Sequence, residues 1–255
     1  MPPAGIRMSP VRLQFLGSGD ALGSGGRLQT CLHLHGGGAG GMLMDIGASS
    51  LVAMKRAGVD PSSIEWIALT HLHGDHFAGL PFLVLDGQFS RRARPLTIAG
   101  PTGVEARVKA AMDVLFPGLS GVAQRFPLQF VELVDRRPTT LGPVLVTPFA
   151  VVHASGAPSY ALRVEYGGTV IAYSGDTEWT DALVEASAGA DLFVCEAYFF
   201  DKRVKYHLDW ATLSANRTRL TSRRLIVTHM SQDMLDHLRA VDVETAHDGL
   251  TLTLG

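Results

Sequence analysis

Short stretches in which apolar side chains alternate with polar ones, or run together, recur along the chain and predict many β-strands. Residues 11–16 (VRLQFL) form the first stretch, and a Gly-Ser-Gly-Asp turn follows it. Further strands are predicted at residues 30–35, 42–46, 64–69, 96–99, 126–134, 144–152, 160–166, 169–173, 191–195, 225–228 and 249–254. The pattern therefore predicts a core built on β-sheet.

A smaller number of segments have helical periodicity. They are predicted at residues 49–57, 77–89, 101–115, 180–188, 210–220 and 231–239. Ser49 or Ser50 suits the start of the first helix, Gly58 its end, and Pro81 the first turns of the second. Many strands before and between few helices favour sheets packed face to face with helices outside, in one domain of residues 1–255.

Composition narrows the class of protein. Hydrophobic residues make up 46% of the 255 residues and charged residues 18%, which is enough for a packed core. The formal net charge of −2 argues against a broad basic surface for nucleic acid. Two cysteines, Cys31 and Cys195, lie in apolar runs and are predicted to be buried thiols, as in a reducing compartment. The start lacks an apolar signal region and no stretch is long enough to span a bilayer, so we expect a soluble, cytoplasmic protein with no membrane contact.

The segment THLHGDHFAGL, residues 70–80, has the highest density of potential metal ligands in the sequence. It places His71, His73, Asp75 and His76 within six positions, directly after a predicted strand. Imidazole and carboxylate are ligands that Zn, Mn and Fe accept. Alternate residues of an extended segment face the same way, and Gly74 then allows a tight turn. One short loop can therefore direct two pairs of ligands towards two metal ions.

Three further residues of ligand type follow predicted strands. They are His153 after residues 144–152, Asp176 after residues 169–173, and His229 after residues 225–228. In sheet proteins with helices alongside, sites gather beyond the carboxyl ends of strands. We therefore expect these side chains to meet the His-rich loop in a shared site.

With these residues in place, the sequence resembles the metallo-β-lactamase-fold superfamily over nearly its whole length, and most closely its ribonuclease Z-like phosphodiesterase branch. The loop matches the HxHxDH signature, and the later His, Asp and His follow in the same order. The other matching segments are FLGSGDALGSGGRLQTC, MLMDIGA, AYSGDT with GADLFVCEAYF, YHLDWATL and LIVTHMS. The resemblance implies an αββα sandwich of two mixed β-sheets flanked by helices, within the α/β class.

The resemblance also implies the roles of the ligands. His71, His73 and His153 would hold one metal, Asp75, His76 and His229 the other, and Asp176 would bridge both. Two divalent ions are implied, with Zn the commonest in the family and Mn or Fe in some members.

The resemblance assigns catalytic roles to Asp75 and His207, the second on the side of the leaving group. Asp45 is expected behind the metal histidines, where it would accept a hydrogen bond that fixes a tautomer. Glu196 ends a strand at the same edge, but we do not expect it to be catalytic. His33 and His35 are expected to be plain strand residues, and His237 and His247 have no motif support.

The implied reaction is hydrolysis of a phosphodiester by a metal-bridging hydroxide, with protonated His207 supplying the proton of the leaving group. Transfer-RNA 3′-processing enzymes with their own substrate-binding arm insert it between the third His ligand and the bridging Asp. Here only 176 − 153 = 23 positions separate those residues, and a predicted strand pair fills them. We therefore expect a small phosphodiester as substrate and do not favour nucleic acid.

Several alternatives stay open. The same ligands could serve a lactonase, a thioesterase, a β-lactamase or a transfer-RNA 3′-processing endonuclease. A di-iron redox protein is a further hypothesis, although the sequence shows no adjoining flavin domain. A non-catalytic binding scaffold is another hypothesis. The fold often pairs, so a homodimer is also open.

Overall fold

The computed structural model describes residues 10–36 and 39–254, and shows two seven-stranded sheets. The segment on which the absence of a signal peptide was predicted lies largely outside these residues. The strands, numbered along the chain, are β1 Val11–Gly17, β2 Cys31–Gly36, β3 Ala39–Met44, β4 Ile64–Ala68, β5 Leu96–Gly100, β6 Leu128–Glu132, β7 Thr139–Leu141, β8 Val144–Ala150, β9 Tyr160–Tyr166, β10 Thr169–Tyr173, β11 Leu192–Glu196, β12 Leu225–Thr228, β13 Glu244–Thr245 and β14 Thr251–Leu254.

Both sheets are mixed and have a similar order. The first runs β14-β1-β2-β3-β4-β5-β6, and its last three pairings are parallel. The second runs β13-β12-β11-β10-β9-β8-β7, and its first three pairings are parallel. Because parallel strands end at a common edge, each sheet presents a row of strand exits on which side chains can gather.

Helices cover the outer face of each sheet. They are α1 Ser50–Arg56, α2 Gly74–Phe77, α3 Leu80–Phe89, α4 Val104–Leu115, α5 Asp181–Ser187, α6 Trp210–Asn216 and α7 Gln232–Asp236. No helix in the described part of the chain has the length and apolar character needed to cross a bilayer.

The core has three layers, as the alternation of apolar residues requires. Leu34 of the first sheet and Leu162 of the second belong to the layer between the sheets. Ile67 packs in the outer layer with α1, α3 and α4, and Phe193 in the outer layer with α5, α6 and α7. The predicted sandwich of two sheets with helices outside is therefore confirmed, and Cys31 and Cys195 are buried free thiols in the two outer layers.

One predicted helix is wrong in its bounds. The sequence predicts a single helix over residues 77–89, whereas α2 ends at Phe77 and α3 begins at Leu80. Gly79 lies between them, and its backbone N–H donates to the carbonyl of Ile46 at 2.9 Å. A Cβ on Gly79 would lie 2.5 Å from the carbonyl oxygen of Gly47. The helix is therefore interrupted at Gly79, because the backbone that follows β3 lies in direct contact with it there.

The remaining differences are at the ends of elements. The helix predicted to start at residue 101 begins at Val104, and the one predicted to reach residue 220 ends at Asn216. Strands β7 and β13 have three and two residues, and were not predicted because so few residues show no alternation.

Candidate metal centre

The candidate ligands lie at one edge of the sandwich, where strands from both sheets end. The His-rich loop follows β4 of the first sheet, whereas His153, Asp176 and His229 follow β8, β10 and β12 of the second. The structure therefore brings all seven predicted ligands together, from segments up to 158 positions apart (229 − 71).

The loop after β4 changes conformation in its middle. His73 is extended, with φ −85° and ψ 152°, and α2 begins at Gly74. The N–H of His76 then donates to the carbonyl of His73 at 3.0 Å. This turn sends His71 and His73 to one group of ligands and Asp75 and His76 to another, as the spacing predicts.

The ligand atoms form two groups that could each hold a metal ion. The first comprises His71, His73 and His153, and Nδ1 of His73 lies 3.0 Å from Nε2 of His153. The second comprises Asp75, His76, Asp176 and His229.

The second group has the dimensions of a tetrahedral site. Nε2 of His76 lies 3.3 Å from Nε2 of His229 and 3.2 Å from Oδ2 of Asp75. The same His229 atom lies 3.2 Å from Oδ2 of Asp75 and 3.5 Å from Oδ1 of Asp176. Donors bound to one tetrahedral zinc at about 2.0–2.2 Å are about 3.3–3.6 Å apart. The spacing therefore fits one ion.

The Asp176 carboxylate faces both groups. Its Oδ2 lies 3.8 Å from Nε2 of His71 and 4.0 Å from Nε2 of His153. Its Oδ1 lies 3.3 Å from Nε2 of His76. One carboxylate can thus contribute an oxygen atom to each of two neighbouring ions.

Buried polar atoms at the centre lack protein partners. Nε2 of His71 and Oδ1 of Asp176 make no hydrogen bond to any described residue, although both side chains are buried. A buried polar atom without a partner is costly, so such atoms are rare in folded proteins. Two divalent ions would satisfy them, and the donor set of imidazoles and carboxylates suits such ions.

The second nitrogen of several imidazoles is held by the protein. Nδ1 of His76 donates to Oδ2 of Asp45 at 2.7 Å, and Nδ1 of His153 donates to the carbonyl of Tyr206 at 2.7 Å. Nδ1 of His71 lies 3.0 Å from the hydroxyl of Thr70, which itself donates to Asp45 at 2.8 Å. These bonds leave Nε2 without a proton and directed at the centre, as a metal ligand must be. Asp45 lies behind the histidines as expected.

The electrostatics differ between the two groups. Burial, reinforced by the neighbouring His76, lowers the pKa of His71 well below its usual value. Burial also opposes the charged form of His76, but the carboxylates of Asp176, Asp75 and Asp45 outweigh it and raise the pKa of His76 well above its usual value. The second group therefore favours a positive charge, which a divalent cation supplies when it displaces the proton.

His207 lies beside the second group and is held by Glu196. Nδ1 of His207 donates to Oε1 of Glu196 at 2.6 Å, and Oε2 accepts from the N–H of Thr177 at 2.8 Å and of Leu208 at 3.2 Å. Burial lowers the pKa of His207, but the bond to Glu196 and its charge overcome this and raise it. The ring of Tyr198 stacks on the ring of His207, with 4.6 Å between the ring centroids. An imidazole so placed can carry and donate a proton.

Sequence reasoning predicted the contact of Asp45 but missed the other contacts behind these side chains. It did not assign Glu196 a partner, although a glutamate at the end of an apolar strand was the available signal. The Tyr206 carbonyl is a backbone atom and leaves no signal. His33 and His35 lie on β2, and they, His237 and His247 belong to neither group, as expected.

Comparison with known proteins agrees with this geometry. Residues 42–230 match the family model described as beta-lactamase superfamily domain. The ribonuclease BN of Erwinia tasmaniensis is 29% identical over 93% of this chain and 98% of that protein. The protein ML1173 of Mycobacterium leprae is 30% identical over 74% of this chain, which spans 66% of that relative's length.

A solved structure gives the same picture of the fold. A metallo-beta-lactamase fold protein from Bacillus subtilis superposes with a TM-score of 0.77 at 20% identity, covering 96% of this chain and 100% of that one. The family match extends over most of the chain and includes the His-rich loop and the later ligand-type residues. The chain therefore belongs to the beta-lactamase superfamily, as a metal-dependent hydrolase that is similar to ribonuclease BN.

Proposed function

We propose that this hydrolase is a phosphodiesterase with two metal ions, most simply zinc. His71, His73 and His153 would hold one ion, Asp75, His76 and His229 would hold the other, and Asp176 would contribute to both. The observation that carries the proposal is the position of the Asp176 carboxylate, whose two oxygen atoms face different groups. Two cations held on either side of one carboxylate would suit a phosphoryl group, which has several oxygen atoms to neutralise.

When bound, the two ions activate water for attack and neutralise charge on the phosphoryl oxygens. Attack of water on phosphorus breaks the bond to the leaving oxygen. That oxygen takes its proton from Nε2 of His207, because Nδ1 is occupied by Glu196. The carboxylate of Asp75 takes up the proton released by the attacking water. Glu196 is thus a positioning residue for the proton donor.

A small phosphodiester is the favoured substrate. The interval between His153 and Asp176 contains β9 and β10, joined through Gly167 and Gly168, and this tight hairpin supports the absence of an RNA-binding arm there. The net charge of −2 also disfavours a long polyanion. We further propose that residues 1–255 act as one domain. Similarity to a ribonuclease makes precursor transfer RNA the second candidate.

The experiment combines metal analysis with two substrates. Chelator-stripped protein is reloaded with zinc, and metal content and hydrolysis of bis(p-nitrophenyl) phosphate and precursor transfer RNA are measured. We expect two ions per chain, hydrolysis of the small ester and no specific cleavage of the RNA. Asp176→Ala should lose metal and activity, whereas Asp191→Ala, the matched change at an aspartate outside both groups, should retain them.

Two results would contradict the proposal. Full activity in the stripped protein, or in Asp176→Ala, would remove the two-metal assignment. Efficient cleavage of precursor transfer RNA at one position would replace the small substrate by RNA.

A further inference from the structure

A cavity of about 210 Å³ is lined by His207, whose neighbour Asp176 belongs to the second ligand group. His207 lines this cavity and also belongs to the cluster that contains Asp176, Glu196 and His229. The cavity is smaller than the 300–1,000 Å³ of pockets that enclose a whole ligand. Its size suits one part of a substrate whose phosphate lies at the metal centre.

Two segments of the chain form the walls of this cavity. Glu178 and Trp179 come from the segment after β10, and Arg203 and Val204 from the segment before α6. The segments are joined where the N–H of Tyr206 donates to Oε1 of Glu178 at 2.9 Å. The cavity is therefore built from the same two segments that carry Asp176 and His207.

Trp179 gives the cavity an aromatic wall, and a neighbouring arginine lies over its ring. The guanidinium of Arg219 lies 5.8 Å from the centroid of the Trp179 ring, and Arg219 also pairs with Asp181 at 2.8 Å. Trp179 is half-buried, so part of its surface is available to a ligand. A fixed indole beside an open cavity is a surface on which a flat ring can stack.

One basic side chain that lines the cavity has no carboxylate partner among the described residues. Asp209 accepts hydrogen bonds from the backbone and hydroxyl of Thr212, both at 2.8 Å. Arg203 is exposed and makes no ion pair with any described residue. The lining thus combines a flat apolar surface with hydrogen-bonding groups, including a free guanidinium, and this is the chemistry of a nucleobase and its sugar phosphate.

We propose that this cavity binds the leaving group of the substrate, and that the leaving group is a nucleoside whose base stacks on Trp179. The proposal rests on the proposed function. The proton donor must touch the leaving oxygen, so the rest of the leaving group extends from His207, and the cavity at His207 receives it. Arg203 contacts the polar edge or an additional phosphate. Trp179 and Arg203 are therefore specificity-determining residues.

The test compares two esters that differ only in the leaving group. Zinc-loaded protein is given a dinucleoside monophosphate and the methyl ester of the same 3′-nucleotide, with bis(p-nitrophenyl) phosphate as the measure of general activity. We expect kcat/KM to favour the dinucleoside by about tenfold or more. Tenfold corresponds to about 1.4 kcal/mol, within the range of base stacking on an aromatic side chain.

Substitutions then locate the preference. Trp179→Leu should reduce it to about twofold or less through a higher KM for the dinucleoside, whereas Trp179→Phe, which keeps a ring, should retain most of it. Arg203→Gln should weaken it. Phe89→Leu at an exposed phenylalanine and Arg223→Gln at an exposed arginine, neither lining the cavity, are the matched controls and should leave it unchanged.

The outcomes separate the two levels of the proposal. Equal kcat/KM for both nucleotide esters, or a preference that survives Trp179→Leu, would overturn the nucleoside subsite while the phosphodiesterase stands. Failure of the wild-type protein to hydrolyse any of the three esters would overturn the phosphodiesterase and the subsite together.

Discussion

Replacing Asp45 by asparagine should remove one metal ion and leave the other. Asp45 is fully buried, its Oδ1 accepts from the N–H of Thr70 at 2.8 Å, and its Oδ2 accepts from Nδ1 of His76 at 2.7 Å. Asparagine has only one acceptor oxygen. If that oxygen stays with Thr70, an N–H₂ group faces His76, whose Nδ1 must then be the acceptor. The proton of His76 moves to Nε2, the atom that should bind metal.

The magnitude follows from the loss of this orienting bond. Partners of this kind contribute about 10–100-fold to metal affinity, which is about 1.4–2.7 kcal/mol. Asp45 contacts His76 directly, and reaches His71 only through the hydroxyl of Thr70. The second group should therefore lose affinity by this factor, and the first by much less.

The assay is a zinc titration against a chromophoric chelator, with metal content measured after dialysis. Wild-type protein should retain two ions and Asp45→Asn close to one. Asp86→Asn, at a partly exposed aspartate paired with Lys55, is the matched control and should retain two. If Asp45→Asn retains both ions with affinities within twofold of wild type, the tautomer of His76 is not set by Asp45 and the reasoning is refuted.

Three further predictions concern single groups. His207→Ala should keep both metals and lower kcat about 10²–10⁴-fold for alkyl esters; steady-state kinetics check this, and an unchanged kcat would exclude His207 as the donor. Burial raises the pKa of Cys31 to about 12, so native protein at pH 8 should resist iodoacetamide and react only after unfolding, as mass spectrometry would detect. Burial lowers the pKa of His33 to about 4 from 6.5. The unfolded chain therefore binds the proton more tightly, and the free energy of unfolding should fall by about 2 kcal/mol as the pH drops from 7.5 to 5. Urea unfolding at the two pH values should show a smaller fall for His33→Val than for the wild-type protein.

The candidate ligands could be predicted from the sequence because each is tied to a local signal. The strands are short and alternate, so their exits can be located within a few residues, and His71, His153, Asp176 and His229 each follow an exit. Within the His-rich loop, Gly74 indicates where the backbone turns between the two pairs of ligands. Local pattern is therefore sufficient to predict that these side chains meet, without knowledge of the fold.

Apart from the contact of Asp45, which the resemblance implies, the contacts behind the site could not be predicted, because they join segments with no local relation. Glu196 and His207 meet only because β11 and the segment before α6 are neighbours at the edge. Likewise the end of α2 is set by the crossing of the chain at Ile46, which the periodicity of residues 77–89 does not contain. Tertiary contacts decide both, and they override helical preference where backbones touch.

In both sheets, a residue with left-handed backbone conformation follows a strand that ends at the candidate metal centre. Asp45 after β3 has φ 56°, His229 after β12 has φ 56°, and Gly175 after β10 has φ 58°. A non-glycine residue in this region costs about 1–3 kcal/mol, and such residues gather at functional sites. Asp45 holds His76, and His229 lies in the second group, so glycine would relieve the backbone at either position only by deleting the side chain that the site requires. Asp176 avoids this conflict because Gly175 takes the turn and leaves the neighbouring carboxylate free to face both groups.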